Sequence, residues 1–411
     1  MEMSYRAIAN KFAALSKWSA IAIGFSVPIS TALDNILLFM VLVFWLASID
    51  FQGKLTRIRA NPVAFAALLL FGLLVAGCFY GHATATEALD LLGKYIDILF
   101  IPIFITLFKE EESRNHAIAG FMLAMAITLI LSYVTRTGLL PQNDFLIGTA
   151  DNAYVFKKHI THNIFMAFFA YLLAMKAHYS CISRRRMFFA LMAGLAVYNV
   201  LFMVQGRTGY LVLAVLLVYF CFTLPRWMGL AVALAMGLIV CGAVYYGVGP
   251  LQQRVKLVDS EVNEWKPGQG GETSSGLRMD FYTNSLLLIR EHPFFGVGTG
   301  GFYHAYAEKV RNTAMEPAIN PHNEYLLITA QLGVAGLALL LYLFFTHWRM
   351  AGLLPTLLEK NLARGTLLTI ASGSMVNSLL VDHAEGLFFA WMSGVLFAGL
   401  GTMRQRDERK N

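Results

Sequence analysis

Long apolar runs recur along this chain from about Trp18 to Gly401, broken only by short polar connections until one stretch of some seventy residues. A helix that crosses the hydrocarbon of a bilayer needs about 20 residues, or fewer when flanking side chains reach for the interface. Read by that rule, the pattern predicts twelve spans, at 17–31, 33–49, 61–80, 88–108, 115–134, 161–177, 187–204, 208–224, 228–247, 323–346, 361–380 and 385–403. The first two form a tight pair that turns near Pro28 and Asp34. The expected fold is therefore an all-α polytopic membrane protein of about 12 transmembrane helices, a single integral membrane domain over 1–411, with one large loop at 248–322 inserted between spans 9 and 10.

Composition agrees with lipid as the solvent. The residues are 57% hydrophobic and 14% charged, and the mean hydropathy is +0.58, which leaves too little polar surface for a soluble domain of this length. The basic start and first apolar run have the form of a signal peptide, but the next run follows at once, so an uncleaved first span is expected. Cys78, Cys181, Cys221 and Cys241 lie in or beside apolar spans without metal-ligand spacing and read as small core residues. A Cys78–Cys241 disulfide is the less favoured alternative.

The net charge of +7 does not point to nucleic acid, because the basic residues sit in short connections, as topology signals do. With the N-terminus inside, 20 of the 32 Lys and Arg residues fall on the cytoplasmic side. Eleven fall on the opposite side, seven of them within 248–322, and Lys94 lies within a span. Long loops carry little weight in this rule, so the short-loop contrast is 20 against 4. Both termini are expected in the cytoplasm and the 248–322 loop outside. A loop of that length is more often functional than idle.

Within the loop, the Gly268–Gly276 stretch reads as unrestrained backbone, a lid or a tether. A helix is expected next, capped by Ser274 or Ser275 and ended by His292-Pro293, with Arg278, Tyr282, Leu286 and Ile289 on one face. It is too short and too charged to span and is expected to lie along the membrane surface. An arginine on such an apolar face suggests an anion, or else pairing with Asp280 or Glu272. The run Phe294–Phe302 carries four glycines without a surrounding strand–helix unit, so close backbone approach in a buried turn explains it better than nucleotide binding.

The loop closes on Asn320-Pro321-His322-Asn323-Glu324. Asn320 suits an N-cap and Pro321 the first helical position, which would put His322 in the first turn of span 10, beside free N–H groups. A neutral imidazole there is a candidate proton acceptor, and the plainer reading is an interfacial histidine. Gln205-Gly206-Arg207-Thr208-Gly209 joins spans 7 and 8 too tightly to be a mere surface turn. Arg207 is thus held at the outer mouth, on the wrong side for a topology anchor, and a boundary arginine suits phosphate because its guanidinium can donate two parallel hydrogen bonds.

A weaker set of candidate substrate contacts surrounds these. Lys94 stands at helical spacing from Asp90 and Asp97, which could satisfy it, or it could reach acceptor phosphates. Lys158 and His162 belong to a basic cluster with Lys157 and His159 before span 6, explained by snorkelling or by phosphate steering, and Arg136 is similar. Tyr282 and Asn323 complete the set. Asp382, His383 and Glu385 crowd the turn between spans 11 and 12 without an assigned role. Asp259-x-Glu261 reads as solvated surface.

In combination and order, Gln205–Tyr210, Ser275-Gly276-Leu277-Arg278, His292–Gly300, Pro321–Leu326 and Gln331-Leu332-Gly333 resemble the O-antigen ligase family, which shares its core with the O-antigen polymerases. The resemblance implies a GT-C-like fold in the bacterial inner membrane with a periplasmic active site. It implies metal-independent transfer of glycan from undecaprenyl pyrophosphate to a sugar hydroxyl of lipid A–core, with no cofactor. By that likeness Arg207 and Arg278 would hold the diphosphate and His322 would deprotonate or orient the acceptor. The partners so implied are the lipid-linked donor, the lipid A–core acceptor and membrane lipids. A polymerase, a protein O-oligosaccharyltransferase and a lipid-linked-glycan flippase are the alternatives. The flippase is disfavoured because ionisable residues gather at one face rather than deep in repeated halves.

Overall fold

The computed structural model describes residues 2–81, 83–139, 143, 145–245 and 273–400. The expected tether at 268–272 and the Asp259-x-Glu261 pair lie outside the described residues, as does the side chain of Cys241. The fold is helical throughout, with no strand among the described residues beyond one isolated bridge between Thr149 and Asn152.

Among the described residues, each of the twelve expected apolar segments falls at least in part on helix. The first pair is α1 (Glu2–Ser26) and α2 (Thr31–Ala47), packed side by side. A short amphipathic α3 (Phe51–Ala60), bent by 116° from α2, was not expected. It leads into α4 (Pro62–Gly77), where Asn61 accepts from the N–H groups of Val63 and Ala64 and Pro62 occupies the first turn. The fourth segment is broken. α5 (Ala85–Lys94) stops at Tyr95, a 3₁₀ turn covers Ile96–Leu99, and α6 (Phe100–Leu107) resumes the run. α7 (Glu111–Arg136) and α8 (His159–Tyr179) follow, then α9 (Ser183–Tyr198), which ends in a π turn over Asn199–Met203. α10 (Arg207–Thr223) and α11 (Arg226–Tyr245) form the next hairpin.

The described part of the large loop contributes α12 (Ser274–Glu291) and α13 (Phe302–Val310). The last three helices are α14 (Glu324–Ala351), α15 (Leu357–Gly373) and α16 (His383–Phe397). α8 and α16 form the axis of the bundle: both are buried along most of their length, and Phe121 of α7 packs on Phe165, Phe168, Phe388 and Trp391.

Four of these helices are long and apolar enough to cross a membrane alone, or five if α2 and α3 count as one span. The others are cut short by local chemistry. Lys94 and Tyr95 interrupt the fourth segment, and the eleventh ends at Gly373 rather than at 380, because Ser374, Asn377 and Ser378 turn the chain instead of extending the helix.

The bundle has two chemically distinct ends. At one, Lys17 pairs with Glu110 (2.8 Å), Arg114 with buried Glu359 (3.0 Å), and Arg364 stacks over Trp348. Lys176, Arg184, Arg226, Arg349 and Lys360 sit at or just beyond helix ends on this side. These basic short connections therefore lie at one end of the bundle, and Lys94, Arg136, Lys157 and Lys158 at the other. The opposite end holds the glycine-rich run, the 374–382 turn and the N-termini of α8, α10, α14 and α16.

Candidate functional site

Arg207 begins α10, and the tight connection before it is fixed from below by Asn163. The Asn163 amide donates to the carbonyls of Val204 (3.3 Å) and Gly206 (3.2 Å), and a Cβ at Gly209 would stand 2.5 Å from the Asn163 Cβ. Glycine is therefore required there by close approach. From the side, the Gln205 N–H donates to the Asn152 side chain (2.9 Å). Arg207 projects from this support and donates through Nη1 to the Ser275 hydroxyl at 2.8 Å.

Ser275 opens α12, whose N-cap is Thr273, one residue before the expected pair; its hydroxyl accepts from the Gly276 N–H (3.1 Å). One turn on stands Arg278. Of the face expected to hold Arg278, Tyr282, Leu286 and Ile289, Leu286 is 56% exposed, and the side turned to the protein is that of Asp280, Asn284, Ser285 and Leu288, which are buried. The helix is seated on α13 by a polar contact, Asn284 donating to the Tyr306 hydroxyl (3.2 Å). Arg278 and Tyr282 remain part-exposed beside that buried strip.

His322 faces them. Asn320 is not a helix cap: its side-chain oxygen accepts from the His322 N–H (2.7 Å) and from the Ser378 hydroxyl (2.6 Å). This places His322 at φ 52, in the left-handed region that a non-glycine residue enters at a cost of about 1–2 kcal/mol. The cap is Asn323, three residues later than expected; its oxygen accepts from the Leu326 N–H (3.0 Å) and its amide donates to the Met375 carbonyl (2.8 Å). His322 therefore precedes the helix instead of sitting in its first turn. Phe281 lies 5.9 Å from the imidazole, ring to ring, and Arg278 is near enough for its charge to act on it. Crowding by protein, then that guanidinium, holds the His322 pKa below the ordinary histidine value. Arg207, Arg278 and His322 thus occupy one neighbourhood at one end of the bundle.

The turn between α15 and α16, to which sequence gave no role, ties the three together. Asn377 donates to the Thr208 hydroxyl (2.6 Å) beside Arg207, Ser378 holds Asn320 beside His322, and the Met375 carbonyl accepts from Tyr282 (3.0 Å) and Asn323. Glu324 locks the turn from within. It is fully buried; its N–H donates to the Ser374 carbonyl (2.9 Å), and its carboxylate accepts from the Tyr95 hydroxyl (2.6 Å) and the Leu380 N–H (3.0 Å). The signal for this hub was present as Ser374, Asn377 and Ser378 inside an apolar run, but counting residues toward a full span hid it.

The glycine-rich run is a buried, backbone-packed turn, as expected. The Val297 and Gly298 N–H groups donate to the carbonyls of Ala330 and Gln331 (both 2.9 Å), which are free because α14 breaks at Gly333. Gly333 has φ 64, and a Cβ there would lie 2.2 Å from the Phe294 carbonyl. Only glycine fits that conformation and that approach.

The outer candidates divide. Tyr282 and Asn323 line the neighbourhood, though both spend polar groups on Met375. Lys94 and Lys158 are exposed; burial raises the Asp382 pKa, and the charges of these two lysines oppose the rise. Asp97, thought able to satisfy Lys94, instead accepts from His383 Nδ1 (3.0 Å). Arg136 donates to the Ala150 carbonyl (2.6 Å) and braces the loop that holds Gln205, one step removed from the site. His162 is buried between the Val155 N–H and Asn199, so it faces the core and not the rim. Cys78 donates to its own helix at Leu74.

A bundle of apolar helices with cationic and polar side chains gathered at one end has the build of an integral membrane protein. Residues 187–341 match the family model described as O-antigen ligase, so that segment is similar to this family. The match takes in Arg207, Arg278, His322 and the Gln331-Leu332-Gly333 break, but less than half of the chain. An uncharacterized protein of Haemophilus influenzae is 26% identical over 100 residues, covering 23% of this chain and 25% of that relative.

Proposed function

We propose that this chain moves a glycan from undecaprenyl pyrophosphate to a sugar hydroxyl of lipid A–core at the periplasmic face of the bacterial inner membrane. The observation that carries this reading is the meeting of Arg207, through Ser275, with the helix of Arg278, and of Arg278 with His322. In the proposed orientation all twelve apolar segments cross or enter the bilayer, both termini are cytoplasmic, and the 248–322 loop is periplasmic.

The chemistry follows from the charges. His322, kept neutral, accepts the proton of the acceptor hydroxyl. The hydroxyl oxygen attacks the anomeric carbon, the bond from that carbon to the diphosphate oxygen breaks, and undecaprenyl pyrophosphate departs with the electron pair. Arg207 and Arg278 face the negative charge that develops, and fixed cations in a partly desolvated site lower such a barrier. In this scheme the guanidinium groups supply the stabilisation, and neither metal nor cofactor takes part.

The test is deletion of the gene followed by analysis of both lipid pools, with complementation by Arg207→Ala, Arg278→Ala and His322→Ala. Polymer accumulating on undecaprenyl pyrophosphate over bare core, in the deletion and in each variant, is expected. A single repeat unit on core would indicate a polymerase, and disappearance of periplasmic glycan would indicate a flippase. Normal O-antigen in all three variants would remove the assignment of these residues.

A further inference from the structure

A cavity of about 300 Å³ lies between α5, α13 and the first turns of α14, with Ile319 of the segment that leads to His322 in its wall. Its floor is apolar, from Leu91, Phe302 and Leu327, and its rim is polar, from Asp90, Lys94 and Tyr303. No described residue of α10 or α12 lines it, so it is separate from the arginine side of the site. Ile319, which also lines it, stands three residues before His322, and the charge of Lys94 acts on Asp382 at the end of the 374–382 turn. The cavity therefore opens beside the loop that carries the imidazole.

The lining groups are not all committed to the fold. Gln331 is spent: it accepts from the Gly300 N–H (2.8 Å) and donates within its own helix. Glu87 is spent as well, in a capping box with Thr84 and an ion pair to His304 (2.8 Å), and those Thr84 hydrogen bonds, with His304, draw its pKa down to about 2. Asp90 and Lys94 are exposed and Tyr303 is 41% exposed, and none of them takes part in an ion pair or side-chain hydrogen bond within the described structure. A carboxylate that accepts, an ammonium that donates and an aromatic face over an apolar floor together match a pyranose, which has hydroxyls around its edge and C–H groups on its faces. They suit a bare diphosphate poorly, because Asp90 and Glu87 would repel it.

We propose that this cavity is the acceptor subsite: it seats the terminal sugar of the acceptor glycan by Asp90, Lys94 and Tyr303 and presents its hydroxyl to His322. Donor and acceptor then approach the imidazole from separate sites. This rests on the proposed transfer, but its test does not need turnover. Core oligosaccharide, freed of its acyl chains and lacking O-antigen, is titrated against the full-length protein in lipid nanodiscs. Wild type is expected to bind it, and Asp90→Ala, Lys94→Ala and Tyr303→Ala each to weaken it by about tenfold, the effect of losing one charge-assisted hydrogen bond or a stacked ring. Arg278→Ala is expected to leave this affinity unchanged. In transfer assays the same three variants raise the acceptor KM and leave the donor KM alone. Equal binding by wild type and all three variants, no binding by wild type, or a rise in donor KM instead would overturn the subsite. Binding that behaves as expected in a protein that transfers nothing to core would overturn the proposed function and leave the sugar site standing.

Discussion

His322 is held in an uncommon backbone conformation by Asn320 on one side and Asn323 on the other, and its imidazole is set beside a guanidinium. Both its crowding and Arg278 penalise the charged form, so its protonation lies below the ordinary histidine range. A neutral base is available above that pKa and is lost as pH falls through it, so transfer is expected to persist at mildly acid pH and fail at lower pH. Replacing Arg278→Gln removes one of the two causes, and the His322 pKa is expected to rise toward the ordinary value. NMR titration of labelled histidine in the nanodisc-embedded protein checks this; an unmoved or lowered His322 pKa would separate the two residues. The identity of these side chains was legible in the sequence because arginine and histidine are conspicuous beside apolar spans. Their local geometry was not. Asn320 and Asn323 are chemically equivalent as caps, and the structure differs in where their oxygens are engaged: Asn320 with the His322 N–H and the Ser378 hydroxyl, Asn323 with the Leu326 N–H of α14.

Elements meet at this site through a turn and not through helix faces. α10 and α12 each hand one side-chain hydrogen bond to the 374–378 segment and the His322 loop hands it two, so that segment fixes their spacing. Removing the Asn377 amide by Asn377→Ala leaves the buried Thr208 hydroxyl short of its partner, a loss of about 1–2 kcal/mol. Transfer is expected to fall about tenfold with membrane-inserted protein maintained, and Asn377→Gln is not expected to restore it, because the longer side chain misplaces the donor. Initial rates at matched protein levels decide this; an unchanged rate would mean that the turn does not position Arg207. Helix existence was readable from hydropathy in every one of the twelve segments, because lipid-facing runs must be continuous. Helix ends were not, since span counting extends a run to membrane length and passes over Ser374 and the break at Tyr95. The side of α12 turned to the protein is polar, with Asp280, Asn284 and Ser285 buried, and apolar periodicity carries no signal for such a side.

Over the whole molecule, charge and chemistry are partitioned between two ends. The Lys17–Glu110 and Arg114–Glu359 pairs and most short basic connections occupy one, and the glycine turn, the hub, the three candidate residues and the pairs of Glu87 with His304 and of Asp34 with Lys157 occupy the other. If the basic end is cytoplasmic, single-cysteine variants in a background lacking Cys78, Cys181, Cys221 and Cys241 should respond differently to a membrane-impermeant maleimide. Phe294→Cys, at a position 73% exposed, is expected to label in intact spheroplasts, and Arg185→Cys only after lysis. The reverse pattern would invert the molecule and place the arginines away from any periplasmic substrate. The overall orientation could be argued from sequence because it depends on a count of charges, which needs no contacts. The cavity beside α5 could not, because its walls come from segments more than two hundred residues apart in the chain.

Convergence of two guanidinium groups and one imidazole on a diphosphate is the claim on which the rest depends. A cryo-EM structure of the full chain in nanodiscs with undecaprenyl pyrophosphate tests it most directly. The expected result is diphosphate oxygens within hydrogen-bond reach of both Arg207 and Arg278, with His322 facing the carbon-bearing end of the diphosphate. A diphosphate bound at the basic end, or one held by only one of the arginines with His322 turned away, would contradict it.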